Sequence, residues 1–216
     1  MTRKHPLWRY LSKVVLLCIL IASTGGVGGW AAPSLQIYFS PQDQIAEHLI
    51  SLIDKEEKRI LAAVYCLTHR GIADALTRAK RRGVKVEVIV DPFSLKNQFA
   101  LSKLNTGKVE VSIWDPELTM PLSNGKKARD HNRRPLMHDK FCVFGDSIVW
   151  TGSFNFTYDA TEFHRENVVV IEDREIALQY QKQFDSIKEE GCRSYRDFMA
   201  LLPTKQKTII DAIKRR

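Results

Sequence analysis

Residues 60–90 constrain the fold more than any other stretch of the chain. Ile60 to Leu67 is apolar without alternation, as expected of a strand covered on both faces. Ile72, Ala75, Leu76 and Ala79 then recur at helical spacing. That run stops at Arg81-Arg82-Gly83, with basic residues in the last turn and glycine just beyond. Val84, Val86, Val88 and Val90 follow as a β-branched strand ending at Asp91-Pro92. A strand, an amphipathic helix and a second strand in this order form a parallel unit, because a helical crossover returns the chain in the same direction. The flanking sequence continues the theme. Leu35 to Phe39 reads as a strand, and Ser40-Pro41 as the start of a helix that carries Ile45, Leu49, Leu52 and Ile53. Residues 93–107 read as a weakly patterned helix, and Val109, Val111 and Ile113 as a strand. Leu136 to Phe144 and Ile148 to Thr151 flank Gly145-Asp146-Ser147 as a hairpin. Val168 to Ile171 is a further strand, and Ile176, Tyr180, Phe184 and Ile187 share one face of a closing helix. The pattern predicts an α/β fold with a mixed, largely parallel β-sheet flanked by helices. One domain is expected over residues 34–190, after an N-terminal element over 1–33 and before a basic tail over 191–216.

A chain of 216 residues, 44% hydrophobic and 27% charged, suits one well-packed core. The net charge of +8 is concentrated at the ends. Arg3, Lys4, Arg9 and Lys13 stand without an acid at the start, and Lys205, Lys207, Lys214, Arg215 and Arg216 face only Asp211 at the end, which leaves the body neutral. A whole-molecule attraction to polyanions is therefore a weak argument, and the one basic cluster whose position carries meaning is Lys126, Lys127, Arg129, Arg133 and Arg134. It lies in Asp115 to Pro135, a stretch without periodicity that reads as a long substrate-facing loop. The basic N-terminus and the uncharged run Val14 to Ala22, extendable to Ala32, predict a cleaved signal peptide or a retained membrane anchor. Either one takes the protein out of the cytosol, as an exported, periplasmic or membrane-anchored molecule. Cys18, Cys66, Cys142 and Cys192 form no C-x-x-C pair and no zinc-type spacing with histidine, so no metal site is expected. The cysteines read best as small buried hydrophobes.

Met137-His138-Asp139-Lys140-Phe141 places histidine and lysine two apart, which in a strand projects both from one face about 7 Å apart. Past the hairpin comes Thr151-Gly152-Ser153-Phe154-Asn155, with a hydroxyl and an amide suited to phosphate oxygens. Arg165-Glu166-Asn167 then offers a carboxylate able to fix an imidazole tautomer. Each feature alone is ordinary, but this ordered polar set within 30 residues has no use in core strands.

The H-x-K of His138 and Lys140, the G-S-x-N of Gly152, Ser153 and Asn155, and Glu166 together resemble the motifs of the phospholipase D superfamily. The resemblance spans roughly residues 34–190. It is nearest to the small single-motif bacterial endonucleases and more distant from the mitochondrial cardiolipin hydrolase group. In one place the pattern departs: the family has an Asp where this chain has Gly145, with the acid one residue later as Asp146. The resemblance implies a phospholipase D-like fold and a phosphodiesterase that needs no metal or other cofactor, working through a phosphohistidine. In-line displacement needs an attacker and an acid on opposite sides of phosphorus, and the motif occurs once, so it implies a homodimer sharing one site with His138 from each chain. Lys140 and Asn155 would hold the developing charge, with Ser153 assisting and Glu166 orienting His138. A monomeric alternative takes His131 or His164 as the acid. The nearness to the bacterial nucleases makes an endonuclease hydrolysing DNA or RNA the expected activity, with phospholipid head-group hydrolysis as the alternative and a catalytically silent membrane-tethered binding module as a different class of reading.

Overall fold

The computed structural model describes residues 33–119, 122–123, 126–127 and 135–202. The N-terminal segment, Arg129, His131, Arg133, Arg134 and the tail from 203 lie outside them. The elements in chain order are β1 (Ser34–Phe39), α1 (Ile45–Lys55), β2 (Arg59–Val64), α2 (Arg70–Arg81), β3 (Lys85–Val90), α3 (Phe99–Thr106) and β4 (Glu110–Trp114). There follow α4 (Pro116–Thr119), the two-residue strands β5 (Leu122–Ser123) and β6 (Lys126–Lys127), β7 (Lys140–Phe144), β8 (Ile148–Gly152), α5 (Tyr158–Glu162), β9 (Asn167–Glu172), α6 (Arg174–Gly191) and β10 (Cys192–Ser194).

Eight strands form one mixed sheet in the order β1-β9-β8-β7-β2-β3-β4-β10. Helices flank it, as the sequence pattern predicts. Parallel pairing is confined to β2 with β3 and β3 with β4, while every other neighbouring pair is antiparallel. The sheet is thus less parallel than expected. The physical reason is that helical crossovers return the chain in the same direction only from β2 to β3 and from β3 to β4, while β1, β7, β8, β9 and β10 each enter the sheet antiparallel to their neighbours. Alternation within β2 explains its continuous apolar sequence: Ala62 and Val64 enter the layer with Leu49, Leu76 and Trp150, and Leu61 and Ala63 enter the layer with Phe141, Val149 and Phe184. Helices α1, α2 and α3 supply the first layer and α6 the second.

Two boundaries differ from the sequence reading. The helix after β1 begins at Ile45 rather than at Pro41. Ser40 has another task, its hydroxyl donating to the His164 carbonyl at 2.8 Å and accepting from the Glu166 N–H at 3.1 Å. Residues 192–202, read as the start of the basic tail, belong to the packed domain: β10 pairs with β4, and Phe198, in a helix over 195–202, is fully buried. The described cysteines behave as small hydrophobes, with Cys66 and Cys142 buried and Cys192 half-buried, and Cys18 lies outside the described residues. At the start of α2, His69 accepts the Ile72 N–H through Nδ1, and burial lowers its pKa in keeping with an uncharged acceptor.

On the second face, Glu87 is 7% exposed and meets Lys85 at 2.6 Å and Lys188 at 2.5 Å, and Lys188 also reaches Glu110. Burial alone would raise the Glu87 pKa, but the two ammonium groups outweigh it and hold the carboxyl below the usual range. Lys188→Ala should therefore cost about 1–3 kcal/mol in urea unfolding, the loss being limited by the pairing that Lys85 keeps. A depressed carboxyl pKa contributes stability above the ordinary Glu value and loses it as pH falls through the folded value. Glu87→Gln should accordingly flatten the acid side of the stability profile, and an unchanged profile would assign that limb to other carboxylates.

Candidate active site

Strand pairing brings the polar residues to one edge of the sheet. The pairs Val64 with Lys140 and Gly152 with Val168 align the end of β2, the start of β7, the end of β8 and the start of β9. Tyr65, His138, Lys140, Ser153, Asn155 and Glu166 all stand at or just beyond these strand ends, where the two apolar layers stop.

His138 is exposed and lies before β7 rather than within it, while Lys140 is the first residue of the strand. The two meet by a different route from the shared strand face that the spacing suggests. The Lys140 side chain turns back so that Nζ donates to the His138 carbonyl at 2.7 Å and stands 3.2 and 3.4 Å from Nδ1 and Nε2. Burial lowers the Lys140 pKa, against the opposing pull of Asp139 and Glu166. The Tyr65 N–H donates to the Asp139 carbonyl at 2.9 Å, extending the β2–β7 ladder by one step. That step sets the Tyr65 ring 4.7 Å from the His138 ring, centroid to centroid. Phe93 stacks on Tyr65 at 5.0 Å, and Lys96 Nζ sits 4.3 Å from the Phe93 centroid.

Gly152 explains why the second half of the motif starts with glycine. A Cβ there would lie 2.1 Å from the Asn167 carbonyl oxygen and 2.9 Å from Val168 Cα, so β8 and β9 approach each other as no other residue allows. Ser153 continues the contact. Its N–H donates to the Asn167 carbonyl, its hydroxyl accepts from the Asn167 N–H at 3.1 Å and donates to Glu166 Oε2 at 2.5 Å. The hydroxyl thus ties the Glu166 carboxylate to the strand end, and His164 Nδ1 lies 3.7 Å from the other carboxylate oxygen. Asn155 Oδ1 is buried without a hydrogen-bond partner among the described residues, an arrangement rare for a buried polar group.

A cleft of about 680 Å³ adjoins this edge, and Tyr65, Asn155 and His164 are in its wall. His164 therefore comes to the site, as the monomeric alternative requires, whereas His131 lies outside the described residues. Of the basic loop, Lys126 and Lys127 form a two-residue strand with Leu122 and Ser123, and its arginines lie outside the described residues. Cys66 also lines the cleft, but burial pushes its thiol up to about 11, so it is no nucleophile at neutral pH. Sequence reasoning misses Tyr65, Phe93, Arg70 and Lys96. The available signal is position alone, since each stands within a few residues after β2 or β3.

At the far end of the hairpin, Gly145 has φ +54, and Arg59 reaches both its carbonyl and Asp146, each at 2.9 Å. The glycine serves the turn, and the displaced acid ties the turn to β2.

The described geometry has close counterparts. A family model described as "Cardiolipin synthase, PLD-like domain" matches residues 49–188. A phospholipase D of Rickettsia prowazekii is 32% identical over 151 residues, covering 69% of this chain and 65% of that protein. A mitochondrial cardiolipin hydrolase of Xenopus tropicalis is 28% identical over 156 residues, covering 72% and 67%. The chain spans a little under two thirds of the length of the Rickettsia relatives. Among solved structures, a phospholipase D family member named Nuc, from Salmonella typhimurium, superposes with a TM-score of 0.62 at 27% identity, covering 76% of this chain and 99% of that one. NucT from Helicobacter pylori does so with a TM-score of 0.64 at 26% identity, covering 76% and 100%.

The two glycines of the motif region should respond differently to substitution. Gly152→Ala puts a methyl against backbone and should cost about 3–5 kcal/mol or prevent folding. Gly145→Ala meets only the flexible Glu56 carboxylate, 3.4 Å away, and pays the left-handed backbone conformation, about 1–2 kcal/mol. Thermal melts of both variants check the order, and equal losses would contradict the close-approach argument.

Proposed function

This chain belongs to the phospholipase D-like family of phosphodiesterases, and from that premise we propose that it hydrolyses phosphodiesters through a phosphohistidine on His138, without a metal ion. The observation that carries the reading is the half-buried Lys140 ammonium, held 3.2 and 3.4 Å from the two ring nitrogens of His138. A fixed cation beside the attacking imidazole, with the Asn155 amide on the same strand edge, provides the electrostatic stabilisation that a phosphoryl transfer state requires. His138 attacks phosphorus and the bond to the leaving oxygen breaks. That oxygen takes a proton from the His138 of a second chain, which then removes a proton from water as the water displaces the phosphohistidine. Ser153 holds Glu166 in place through its hydroxyl, and the carboxylate balances the positive charge gathered at the site.

Nucleic acid is the substrate we favour, with the basic loop at 126–134 adding phosphate contacts and affinity. The N-terminal segment 14–32 would carry the domain to or across a membrane. A second reading is phospholipid head-group hydrolysis, favoured by the names of the Rickettsia and Xenopus relatives. A second source for the acid also has an observation behind it, because His164 lies in the wall of the same cleft as Asn155.

Full-length protein should cleave its phosphodiester substrate in excess EDTA, and loss on chelation with recovery on adding magnesium would sink the metal-free mechanism. Two copies joined in tandem, one carrying His138→Asn, separate the two acids. A shared site loses nearly all activity at dilution, whereas retention of about half at every concentration would place the acid within one chain, with His164 the residue to substitute next. The lysine gives a pH test. Since burial lowers the Lys140 pKa, its charge should be lost at a lower pH than that of an exposed lysine, producing an alkaline fall in kcat/KM. Lys140→Arg stays charged and should move that fall upward while lowering the maximal rate. A fall that remains in place would belong to another group.

A further inference from the structure

The cleft beside the hydrolytic residues shares Asn155 with them, and its Tyr65 ring contacts that of His138. Its volume of about 680 Å³ is that of a site for a whole small ligand, well beyond one phosphate group. Asn155, one of the residues proposed to hold the reacting phosphate, is in its wall. In the same wall stand two cations, Arg70 and Lys96, both exposed, against a single lining carboxylate among the described residues, that of Asp159. Both cations are steadied by rings. The Arg70 guanidinium lies 4.4 Å from the Phe99 centroid and Lys96 Nζ lies 4.3 Å from that of Phe93, which limits the sweep of two long side chains. Phe93 stacks on Tyr65 and Tyr65 contacts His138, so a continuous column of rings connects Lys96 to the attacking imidazole. The apolar surface of the wall is chiefly aromatic, from Tyr65, Phe93 and Tyr158, and offers no aliphatic bed for acyl chains. Cations set among aromatic and polar groups beside the proposed phosphodiester site match a sugar–phosphate strand.

We propose that Arg70 and Lys96 seat a second, unreacting phosphate of a single-stranded nucleic acid whose neighbouring phosphodiester is attacked by His138. The proposal rests on the phosphodiesterase reading and names the substrate class of that same site. It makes the enzyme a reader of the phosphate next to the scissile bond, so a substrate with one phosphorus forfeits part of the binding.

The test uses full-length protein and three small substrates: the dinucleotide TpT, with one phosphodiester, and its 5′-phosphorylated and 3′-phosphorylated forms. One of the two added phosphates should raise kcat/KM about tenfold, the effect of one charge-assisted contact. That gain should vanish in the double variant Arg70→Ala, Lys96→Ala, and the side that shows it gives the direction of the strand in the cleft. The proposal is overturned if neither added phosphate helps, or if the gain persists in the double variant. It is equally overturned if wild type turns over cardiolipin or phosphatidylcholine vesicles and none of the three nucleotides, a result that leaves the phosphodiesterase reading standing. Turnover of no nucleotide and no vesicle by wild type would remove that reading, and the subsite with it.

Discussion

The approach of β8 to β9 at Gly152 is the contact on which the rest of the site depends. With the Asn167 carbonyl where a Cβ would stand, the strands are closer at that point than any side chain would permit. Ser153 then bonds Asn167 through both its backbone and its hydroxyl, and the same hydroxyl holds Glu166. From the other side, Ser40 of the β1–α1 link grips the backbone of His164 and Glu166. A carboxylate, a histidine and an amide are thereby placed by backbone geometry rather than by long flexible side chains. Positioning of that kind is what preorganised electrostatic catalysis requires.

Charge in this domain is treated in two contrasting ways. Glu87 is nearly enclosed, and ammonium groups from two directions satisfy it, so its cost of burial is offset within the fold. Lys140 is half-buried, and its pKa is lowered because desolvation exceeds the help from Asp139 and Glu166. A cation left under-compensated gains most when an anion arrives. The cleft repeats the principle at lower burial, with Arg70 and Lys96 resting on rings in place of acids.

Much of this is legible in the residue order, and the omissions have physical causes. The strand–helix–strand unit at 60–90 follows from periodicity, and β2, α2 and β3 fall where apolar spacing places them. Strand direction is harder to read, because alternation looks the same in a parallel and an antiparallel neighbour, and the sheet is accordingly less parallel than its opening unit suggests. Ser40-Pro41 has the chemistry of a helix start, yet its hydroxyl serves a partner 124 residues away. His138, Lys140, Ser153, Asn155 and Glu166 are visible because a polar set in strand country needs a reason. Tyr65 and Phe93 escape notice because an aromatic after an apolar strand looks like more core, and only the pairing of β2 with β7 reveals that Tyr65 faces the imidazole.

The hairpin between the two halves of the motif sets how far apart they stand in the chain. Strands β7 and β8 leave the site at Lys140, turn at Gly145 to Ser147, and return at Gly152, with Phe141 opposite Thr151 and Phe144 opposite Ile148. The interval between lysine and glycine is therefore a ruler of hairpin length and carries no chemical demand of its own. Residues added or removed as cross-strand pairs at the turn leave both ends of the ruler aligned, while one inserted residue slips a strand against its neighbour and turns its side chains to the other face. The unusual Gly145 lies at the end of that ruler away from the chemistry, where a family pattern can change without the site being touched.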